Sequence, residues 1–351
     1  WPLLRQLPTM LPLAWRTLDA HVSRWFRDLR LKQLLEYHMV FLGSSPFQAP
    51  AVYSLMSHLD FRSGVYYPRH GMMDLVSSME RLGESLGVRL YYNSPVKRIV
   101  LEGNQATGVE LMNGERIAAD LVISAADIRH TESRLLPSAF RSYPEKYWQK
   151  RQPGPGALLV SLGVKGRLPN LQHHNLYFVK NWRENFAAIY ETGTVPEHAS
   201  LYVCNPSKTH AELAPIGHEN LFVLLPLPAG VTLTPEQEKT CTDTIIHVLA
   251  EMCGESDLPN RVVSQLIYGP RQFGEQFNAW KYNAFGGESH LLRQSVMFRT
   301  RNRSKKVPNL YYVGAGTLPG IGLPMCLISA QLTYKRITRN HRHGPLAKED
   351  V

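Results

Sequence analysis

The fold is decided by the stretch Asn309-Leu-Tyr-Tyr-Val-Gly-Ala-Gly-Thr-Leu-Pro-Gly-Ile-Gly-Leu-Pro-Met-Cys-Leu-Ile-Ser-Ala330. It opens with a short β-type run, has four glycines and two prolines in its middle, and continues over residues 325–332 as an apolar segment that predicts a helix. Glycine lets a backbone approach a ligand closely, and a helix N-terminus presents free amides to an anion. A strand, a glycine turn and a helix in this order predict contact with a nucleotide cofactor.

This stretch has three alternative interpretations: a membrane-spanning helix, a dinucleotide-binding turn and a flavin-contacting turn. A transmembrane helix would suit residues 310–332, which carry no charge, but the glycines and prolines interrupt a regular spanning helix. A G-x-G-x-x-G dinucleotide turn would need glycine where Pro319 stands, and residues 299–348 contain no acidic residue to bind a ribose. The third interpretation is the flavin-contacting turn that closes a two-part FAD fold.

Motifs on the N-terminal side of this turn extend through nearly the whole chain. They are Tyr37-His-Met-Val-Phe-Leu-Gly-Ser-Ser-Pro-Phe-Gln-Ala-Pro-Ala, Gly64-Val-Tyr-Tyr-Pro-Arg-His-Gly-Met-Met, Tyr282-Asn-Ala-Phe-Gly-Gly-Glu and Leu292-Arg-Gln-Ser-Val-Met-Phe-Arg-Thr-Arg-Asn-Arg-Ser. Together with the glycine turn, they resemble the bacterial phytoene desaturase family. The chain departs from the family at Leu318, where a histidine is usual, and no G-x-G-x-x-G turn for the FAD pyrophosphate is found in it.

The resemblance implies an α/β fold with two parts. One is a partial FAD/NAD(P)-binding, Rossmann-like domain of the flavin amine oxidase and phytoene desaturase type, and the other is an α+β substrate domain with a mixed or antiparallel sheet and helices. We assign residues 1–60 to a helical, membrane-facing part of the substrate domain and 131–298 to its substrate-binding part. Residues 61–130 and 299–345 are then segments of the FAD-binding domain. The missing turn predicts the C-terminal part of a longer enzyme, and a complete protein without that half is the alternative.

FAD is the cofactor that the resemblance implies, since a flavin accepts the hydride that no side chain can take. Its predicted contacts lie on the first strand of a β-meander and in the glycine turn: Val96, Gly314, Gly316, Thr317, Pro319, Gly320, Gly322 and Pro324. One or two arginines of the basic loop over residues 299–309 are expected near the flavin or its phosphates. Three residues in family-like motifs are candidates for proton handling or orientation: His70, Glu288 and Arg293. The catalytic residues remain unknown at this point.

Local patterns predict further elements. Apolar residues with helical spacing predict one helix over residues 16–37, with Leu18, Val22, Trp25, Phe26, Leu29 and Leu35 on one face. A meander is predicted at residues 96–101, 106–112 and 115–118, followed by a short buried strand at 121–124, and sheet strands are predicted at 157–164, 176–179, 200–204, 221–225 and 262–268. Thr234, Pro235 and Gln237 form a capping-box pattern that begins a helix, and Gly254 lies just beyond its end.

Charge and cysteine usage narrow the classes of partner. The net charge of +10 is concentrated near the two ends, which favours an anionic membrane surface or a phosphate ligand. Nucleic acid is not predicted, since no helix-turn-helix, zinc-finger or RNP-like pattern accompanies the charge. The four cysteines have no C-x-x-C spacing, which is typical of reduced thiols in the cytoplasm. No metal site is predicted, because His173 and His174 would point to opposite faces of a strand.

The resulting hypothesis is FAD-dependent desaturation of phytoene or a similar long isoprenoid, by hydride transfer to flavin and proton loss. The enzyme would lie in the cytoplasm, peripherally associated with the cell membrane, where a long polyene substrate is available. Two alternatives remain open: a related isoprenoid oxidase, oxygenase or saturase, and a non-catalytic fragment that lacks the pyrophosphate-binding half.

Overall fold

The computed structural model describes residues 12–295 and 298–347. Contacts divide the chain into two compact units, one formed by residues 1–57, 93–155 and 273–351 and the other by residues 58–92 and 156–272. These units differ from the predicted segments, because residues 58–92 group with the large sheet, and residues 131–155 and 273–298 group with the glycine turn. The predicted boundaries followed changes of sequence pattern, whereas the units follow strand pairing and packing. The roles assigned to the segments stay predictions.

The strands in chain order are β1 (Val96–Glu102), β2 (Gln105–Leu111), β3 (Arg116–Ala118), β4 (Val122–Ser124), β5 (Gly156–Lys165), β6 (His174–Tyr177), β7 (Leu201–Cys204), β8 (His218–Leu227), β9 (Val262–Tyr268) and β10 (Leu310–Tyr312). The α-helical segments are α1 (Leu18–Val22), α2 (Leu29–Glu36), α3 (His38–Phe41), α4 (Leu55–Ser63), α5 (Met72–Ser85), α6 (Ile128–His130), α7 (Glu145–Trp148), α8 (Trp182–Ala187), α9 (Pro235–Cys253), α10 (Leu258–Arg261), α11 (Pro270–Phe277) and α12 (Leu323–Thr338). Within the described residues, no helix has the length and apolar character needed to cross a membrane.

The unit that contains residues 156–272 is built on a five-stranded antiparallel sheet with the strand order β6-β7-β8-β5-β9. Its central strands β5 and β8 pair without interruption from Gly156 opposite Leu227 to Lys165 opposite His218. Alternate residues of these strands are buried against α9, which contributes Ile245 and Leu249 to the same core. The predicted antiparallel sheet of the α+β domain is confirmed.

Helix α9 begins and ends where its sequence signals predict. The Thr234 side chain accepts a hydrogen bond from the Gln237 amide at 3.2 Å, and the Gln237 side chain accepts one from the Thr234 amide at 2.9 Å. Pro235 occupies the first turn, where its missing N–H leaves no intrahelical bond unmade. Gly254 ends the helix in the left-handed conformation.

The other unit contains a three-stranded antiparallel meander, β1-β2-β3, and a two-stranded parallel pair, β4-β10. Asn309 joins the meander to the parallel pair, because its side-chain amide donates 2.7 Å hydrogen bonds to the carbonyls of Ala106 and Asp120. The buried side chains of Ile99, Leu310 and Tyr312 share one core. The meander and the strand before the glycine turn were both predicted, and both are confirmed.

The single helix predicted over residues 16–37 was wrong. The chain forms α1, leaves the helical path, and restarts at α2 with Asp28 as its N-cap, where the carboxylate accepts a 2.8 Å hydrogen bond from the Arg30 amide. Leu18 and Val22 are buried, but Trp25 lies between the helices and is 73% exposed. A hydrophobic spacing alone did not show that an aspartate inside the pattern would cap a new helix.

Candidate functional site

A cleft of about 520 Å³ lies at the carboxyl ends of the parallel strands β4 and β10. One side is formed by the residues that follow β4, and another by the residues that follow β10. Its lining comprises Ala125, Ala126, Asp127, Phe273, Gln276, Phe277, Asn278, Ala279, Asn283, Ala284, Phe285, Gly286, Gly287, Val313, Ala315 and Gly316. In open α/β sheets, ligands bind outside the carboxyl ends of the strands, so this cleft is the candidate site.

Buried polar side chains hold the turn that follows β10 in place. The Asn302 amide nitrogen lies 2.9 Å from Thr317 Oγ1, 2.9 Å from Ser329 Oγ and 3.1 Å from the Leu318 carbonyl. Ser329, which belongs to α12, also accepts a 3.1 Å hydrogen bond from the Gly314 amide. The turn is therefore fastened at both ends, to a loop and to the following helix, and its backbone is preorganised before any ligand arrives.

Two backbones approach each other where Gly287 meets the turn. A Cβ at Gly287 would lie 2.9 Å from the Ala315 carbonyl oxygen and 2.9 Å from Gly316 Cα, closer than side-chain carbons approach backbone atoms. The residue also has a φ of +113°, which favours glycine. The Gly286-Gly287 pair of the family-like motif thus permits close packing of the cleft wall.

Arg299 is buried directly beneath the turn. Its Nη2 donates a 2.9 Å hydrogen bond to the Ala315 carbonyl, whereas Nε and Nη1 are buried without a hydrogen-bond partner within the described residues. Burial lowers the pKa of the guanidinium, and the nearby Glu288 carboxylate opposes that effect. Buried donors are normally paired, so the two free nitrogens indicate a place for an additional acceptor.

Glu288 and His290 both interact electrostatically with the guanidinium of Arg299. Glu288 is 1% exposed, accepts a 3.0 Å hydrogen bond from the Tyr147 hydroxyl, and has its pKa raised by burial. Burial, together with the Arg299 charge, lowers the pKa of His290 to about 3. The neutral imidazole bonds through Nδ1 to the Leu42 carbonyl at 2.6 Å, so Nδ1 carries the proton. This ring is therefore not positively charged at neutral pH.

Asp127 is the one ionisable residue among those lining the cleft, and its carboxylate already accepts hydrogen bonds from the backbone. Its two carboxylate oxygens accept 3.0 Å hydrogen bonds from the His130 and Trp280 amides. Burial raises its pKa, while these amides favour the charged form. The cleft is accordingly poor in free acid–base groups, and its chemistry points to binding and orientation.

The predicted cofactor contacts occupy different places around this cleft. Gly316 lines it directly. Thr317 is 1% exposed and bonds to Ser329 and Asn302, which turns its hydroxyl away from a ligand. Gly320 packs beside His290, where an added Cβ would lie 2.7 Å from Nε2. Val96, on β1, is 37% exposed and is outside the cleft lining.

The remaining predicted contacts lie along the turn and at the start of α12. Gly314 follows β10 with a φ of +99°, Pro319 has a cis peptide bond, Gly322 is the N-cap of α12, and Pro324 lies in its first turn. These assignments stay predictions.

The three proton-handling candidates have different surroundings. Glu288 is buried beneath the turn, whereas Arg293 is exposed in a short turn and uses its carbonyl to accept a 2.6 Å hydrogen bond from Arg151. His70 is exposed and belongs to the other unit. Sequence reasoning passed over Asp127, His290 and Asn302. Each is a polar residue amid apolar or basic runs, and only the contacts between distant segments show its role.

Comparison with known proteins places these features in a family. A family model described as "Flavin containing amine oxidoreductase" matches residues 16–337. The carotenoid 3,4-desaturase of Haloarcula japonica is 38% identical over 321 residues, covering 92% of this chain and 64% of the relative. The lycopene-forming phytoene desaturase of Pantoea ananas is 33% identical, over 94% of this chain and 68% of the relative.

Two further matches are a relative that is named as an oxygenase and a solved structure with a similar fold. The 4,4'-diapolycopene oxygenase of a Methylomonas species is 29% identical, over 92% of this chain and 65% of the relative. The crystal structure of an oxidoreductase from Methanosarcina mazei superposes with a TM-score of 0.60 at 16% identity, over 95% of this chain and 71% of that chain. The chain thus spans about two thirds of the length of these relatives.

Proposed function

The chain belongs to the flavin-containing amine oxidoreductase family, in its carotenoid desaturase branch, and on this premise we propose that it takes part in FAD-dependent desaturation of phytoene or a related long isoprenoid. The predicted family and the α/β fold class are confirmed by these comparisons. The observation that carries the proposal is the cleft at the carboxyl ends of β4 and β10, walled by the glycine turn, in a chain whose relatives include named desaturases.

The residues present fit a flavin nucleotide in three respects. The cleft lies where α/β sheets bind nucleotides, its glycine-rich wall allows close backbone approach, and Arg299 fixes that wall from behind by bonding to the Ala315 carbonyl. Val313, Ala315 and Gly316 would contact the cofactor, and Arg299 would hold this wall in place through its hydrogen bond to the Ala315 carbonyl. FAD supplies the two-electron acceptor for the hydride that leaves the substrate.

The protein's part in this reaction is positioning. Desaturation removes one hydrogen as hydride and the neighbouring hydrogen as a proton, so that the substrate loses two hydrogens and gains one double bond. No free acid or base lines the described cleft, which suits an allylic substrate whose proton leaves without a dedicated strong base. The fixed turn and the buried Arg299 would hold the cofactor, and the apolar lining would exclude water.

We also propose that the protein binds membranes peripherally, on the cytoplasmic face. Trp25 and Phe26 are exposed between α1 and α2, and Leu29, Leu31 and Leu34 are exposed on α2. The basic residues Arg24, Arg27 and Arg30 accompany them. Exposed aromatic and apolar side chains with neighbouring arginines suit the headgroup region of anionic lipid. A lipid-soluble polyene would be collected from such a surface.

The test combines cofactor binding with product analysis. The chain would be supplied with FAD and with phytoene in liposomes, flavin binding would be followed by absorbance and fluorescence, and products would be identified by mass. We expect bound flavin and products that have lost hydrogens in pairs. Arg299→Met should weaken flavin binding at least tenfold, whereas Arg301→Met, in the same loop but exposed, should not.

Other outcomes identify the alternatives. A product that gains oxygen would assign the chain to oxygenase chemistry, which the 29% identical relative favours. A product that gains hydrogens would identify a saturase. Flavin bound with phytoene unchanged would refute the substrate, and no flavin binding with no turnover would identify a non-catalytic fragment.

A further inference from the structure

His173, His174 and Cys204 come together at one end of the five-stranded sheet. Strands β6 and β7 pair so that His174 lies directly opposite Cys204, and the Asn205 amide donates a 2.7 Å hydrogen bond to the His173 carbonyl just beyond that pair. Residues opposite each other in an antiparallel pair project to the same face. The strand register therefore fixes one imidazole beside one thiol.

The second imidazole joins them because His173 precedes the strand. Strand β6 begins at His174, so the alternation of faces does not apply to His173, and the two rings lie with centroids 4.4 Å apart. The prediction that the rings would point to opposite faces was wrong for this reason. One potential ligand atom from each of the three residues lies within 4.8 Å of the others.

Hydrogen bonds orient both rings through Nδ1. His173 Nδ1 lies 2.7 Å from the Thr209 hydroxyl, whose proton is directed at the Pro206 carbonyl, so the hydroxyl oxygen accepts from Nδ1–H. His174 Nδ1 lies 2.8 Å from the Tyr202 hydroxyl, whose oxygen is placed to accept from Nδ1–H. With Nδ1 protonated on each ring, each Nε2 carries a free lone pair. Metal-binding histidines are usually held in this way.

One of these lone pairs is buried and accepts no hydrogen bond from the described residues. His173 Nε2 has no hydrogen-bond partner among the described residues, although the atom is shielded from solvent. The ring of Tyr67 covers His173 with a centroid distance of 4.6 Å. His174, by contrast, is exposed and gives access from solvent. A buried nitrogen without a partner, on a ring that lies beside a second imidazole and a thiol, is the arrangement that a metal ion would satisfy.

We propose that His173, His174 and Cys204 bind a Zn²⁺ ion or a chemically similar transition-metal ion, through two Nε2 atoms and the sulfur, with water as the fourth ligand. Two imidazoles and one thiolate match the preference of zinc, and three protein ligands leave the open position of a non-structural site. Tetrahedral zinc holds its ligand atoms roughly 3.3–3.6 Å apart, so binding draws the three atoms together by at most about 1.5 Å. The thiol proton is released as the metal–sulfur bond forms.

Cobalt reports on this site directly. The purified chain would be stripped with a chelator and titrated with Co²⁺, and Zn²⁺ affinity would be measured by competition with a chromogenic chelator. We expect one ion per chain and a sulfur-to-cobalt charge-transfer band in the near ultraviolet. Cys204→Ser should abolish that band, and His174→Gln should lower the affinity at least tenfold. Thr209→Val, which keeps all three ligands, should weaken binding about 10- to 100-fold.

Matched controls separate this site from other residues of the same type. Cys241→Ser removes another thiol of the same unit, and His247→Gln removes an exposed histidine from α9, so both should bind Co²⁺ like the unmodified chain. Circular dichroism would confirm that each variant folds. The proposal fails if the unmodified chain binds no ion, if the cobalt complex lacks the charge-transfer band, or if Cys204→Ser and His174→Gln bind as tightly as the controls. It does not depend on flavin binding.

Discussion

Gly287 shows how one residue without a side chain shapes the cleft. Its backbone packs against Ala315 and Gly316, and its φ of +113° is one that residues with a Cβ rarely adopt. Two separate costs therefore oppose any other residue there: the conformation and the close contact. Gly114, in the hairpin between β2 and β3, has a φ of +89° but open space around the position of a Cβ. The pair allows the two costs to be separated.

Gly287→Ala is expected to lower the free energy of unfolding more than Gly114→Ala. Both changes incur about 1–2 kcal/mol from the left-handed backbone, and Gly287→Ala adds about 1–3 kcal/mol from crowding against backbone atoms. Urea unfolding of the two variants measures the difference. Equal losses would show that the turn yields to the added methyl group.

His290 makes stability depend on pH. Its pKa is about 3 in the folded protein, because burial and Arg299 disfavour the charged ring, and about 6.5 in the unfolded chain. Between these values the unfolded chain binds more protons, so the free energy of unfolding falls as the pH drops below about 6.5. The loss from this residue is about 2 kcal/mol between pH 7 and pH 5.

His290→Asn tests this by removing the titrating ring. An asparagine amide donates a hydrogen bond as Nδ1–H does, so the contact with the Leu42 carbonyl can be retained. We expect the variant to lose less stability than the unmodified protein between pH 7 and pH 5, as measured by urea unfolding at both values. An unchanged slope would mean that His290 is accessible to protons in the folded state.

At the scale of elements, local sequence signals predicted those features that are locally determined. The capping box at Thr234 and the alternating apolar residues of β5 and β8 gave the helix and the sheet correctly, because their hydrogen bonds and burial depend on nearby residues or on a clear period. The break before α2 was missed, because Asp28 acts as a cap only once the chain has turned.

The site was predictable only in part. The glycine turn after β10 follows from its composition, and Gly316 lies on the cleft as expected. Asp127, Arg299 and Asn302 acquire their roles from contacts between segments far apart in sequence, which no local pattern encodes. His173 was misjudged because it precedes β6, so the alternation of faces along a strand does not apply to it.

Thr234→Ala tests the helix cap of α9. Loss of the side-chain acceptor leaves the Gln237 amide without its partner, so we expect the free energy of unfolding to fall by about 1 kcal/mol. Thr240→Ala, on the exposed face of the same helix, should be neutral or slightly stabilising, because alanine has the higher helix propensity. Thermal unfolding of both variants distinguishes a cap effect from a general loss of threonine. Equal destabilisation would argue against the cap.

At the scale of the whole molecule, charge and exposed apolar surface both support the proposed binding to membranes. The chain carries a net charge of +10, and Trp25 and Phe26 are exposed where α1 gives way to α2. Electrostatic attraction brings a basic protein to anionic lipid, and aromatic side chains then enter the headgroup region. Binding of this kind is reversible and depends on salt concentration.

Trp25→Ser is expected to weaken co-sedimentation with anionic vesicles at least threefold, since the indole contributes apolar area to the bilayer boundary. Ile216→Ser, at a fully exposed apolar residue of the other unit, serves as the control and should leave binding unchanged. Raising the salt concentration should weaken binding of both proteins. Vesicle binding that is indifferent to Trp25→Ser would place the membrane contact elsewhere.

The pairing of β4 with β10 has a consequence for how the protein is made. Val122 finds its partner Leu310 only after 188 further residues have been synthesised. A nascent chain therefore lacks this pairing of β4 while those residues are being made, and such contacts between distant residues form slowly. A premature stop codon ahead of residue 310 would remove β10 and the glycine turn, and with them one wall of the cleft.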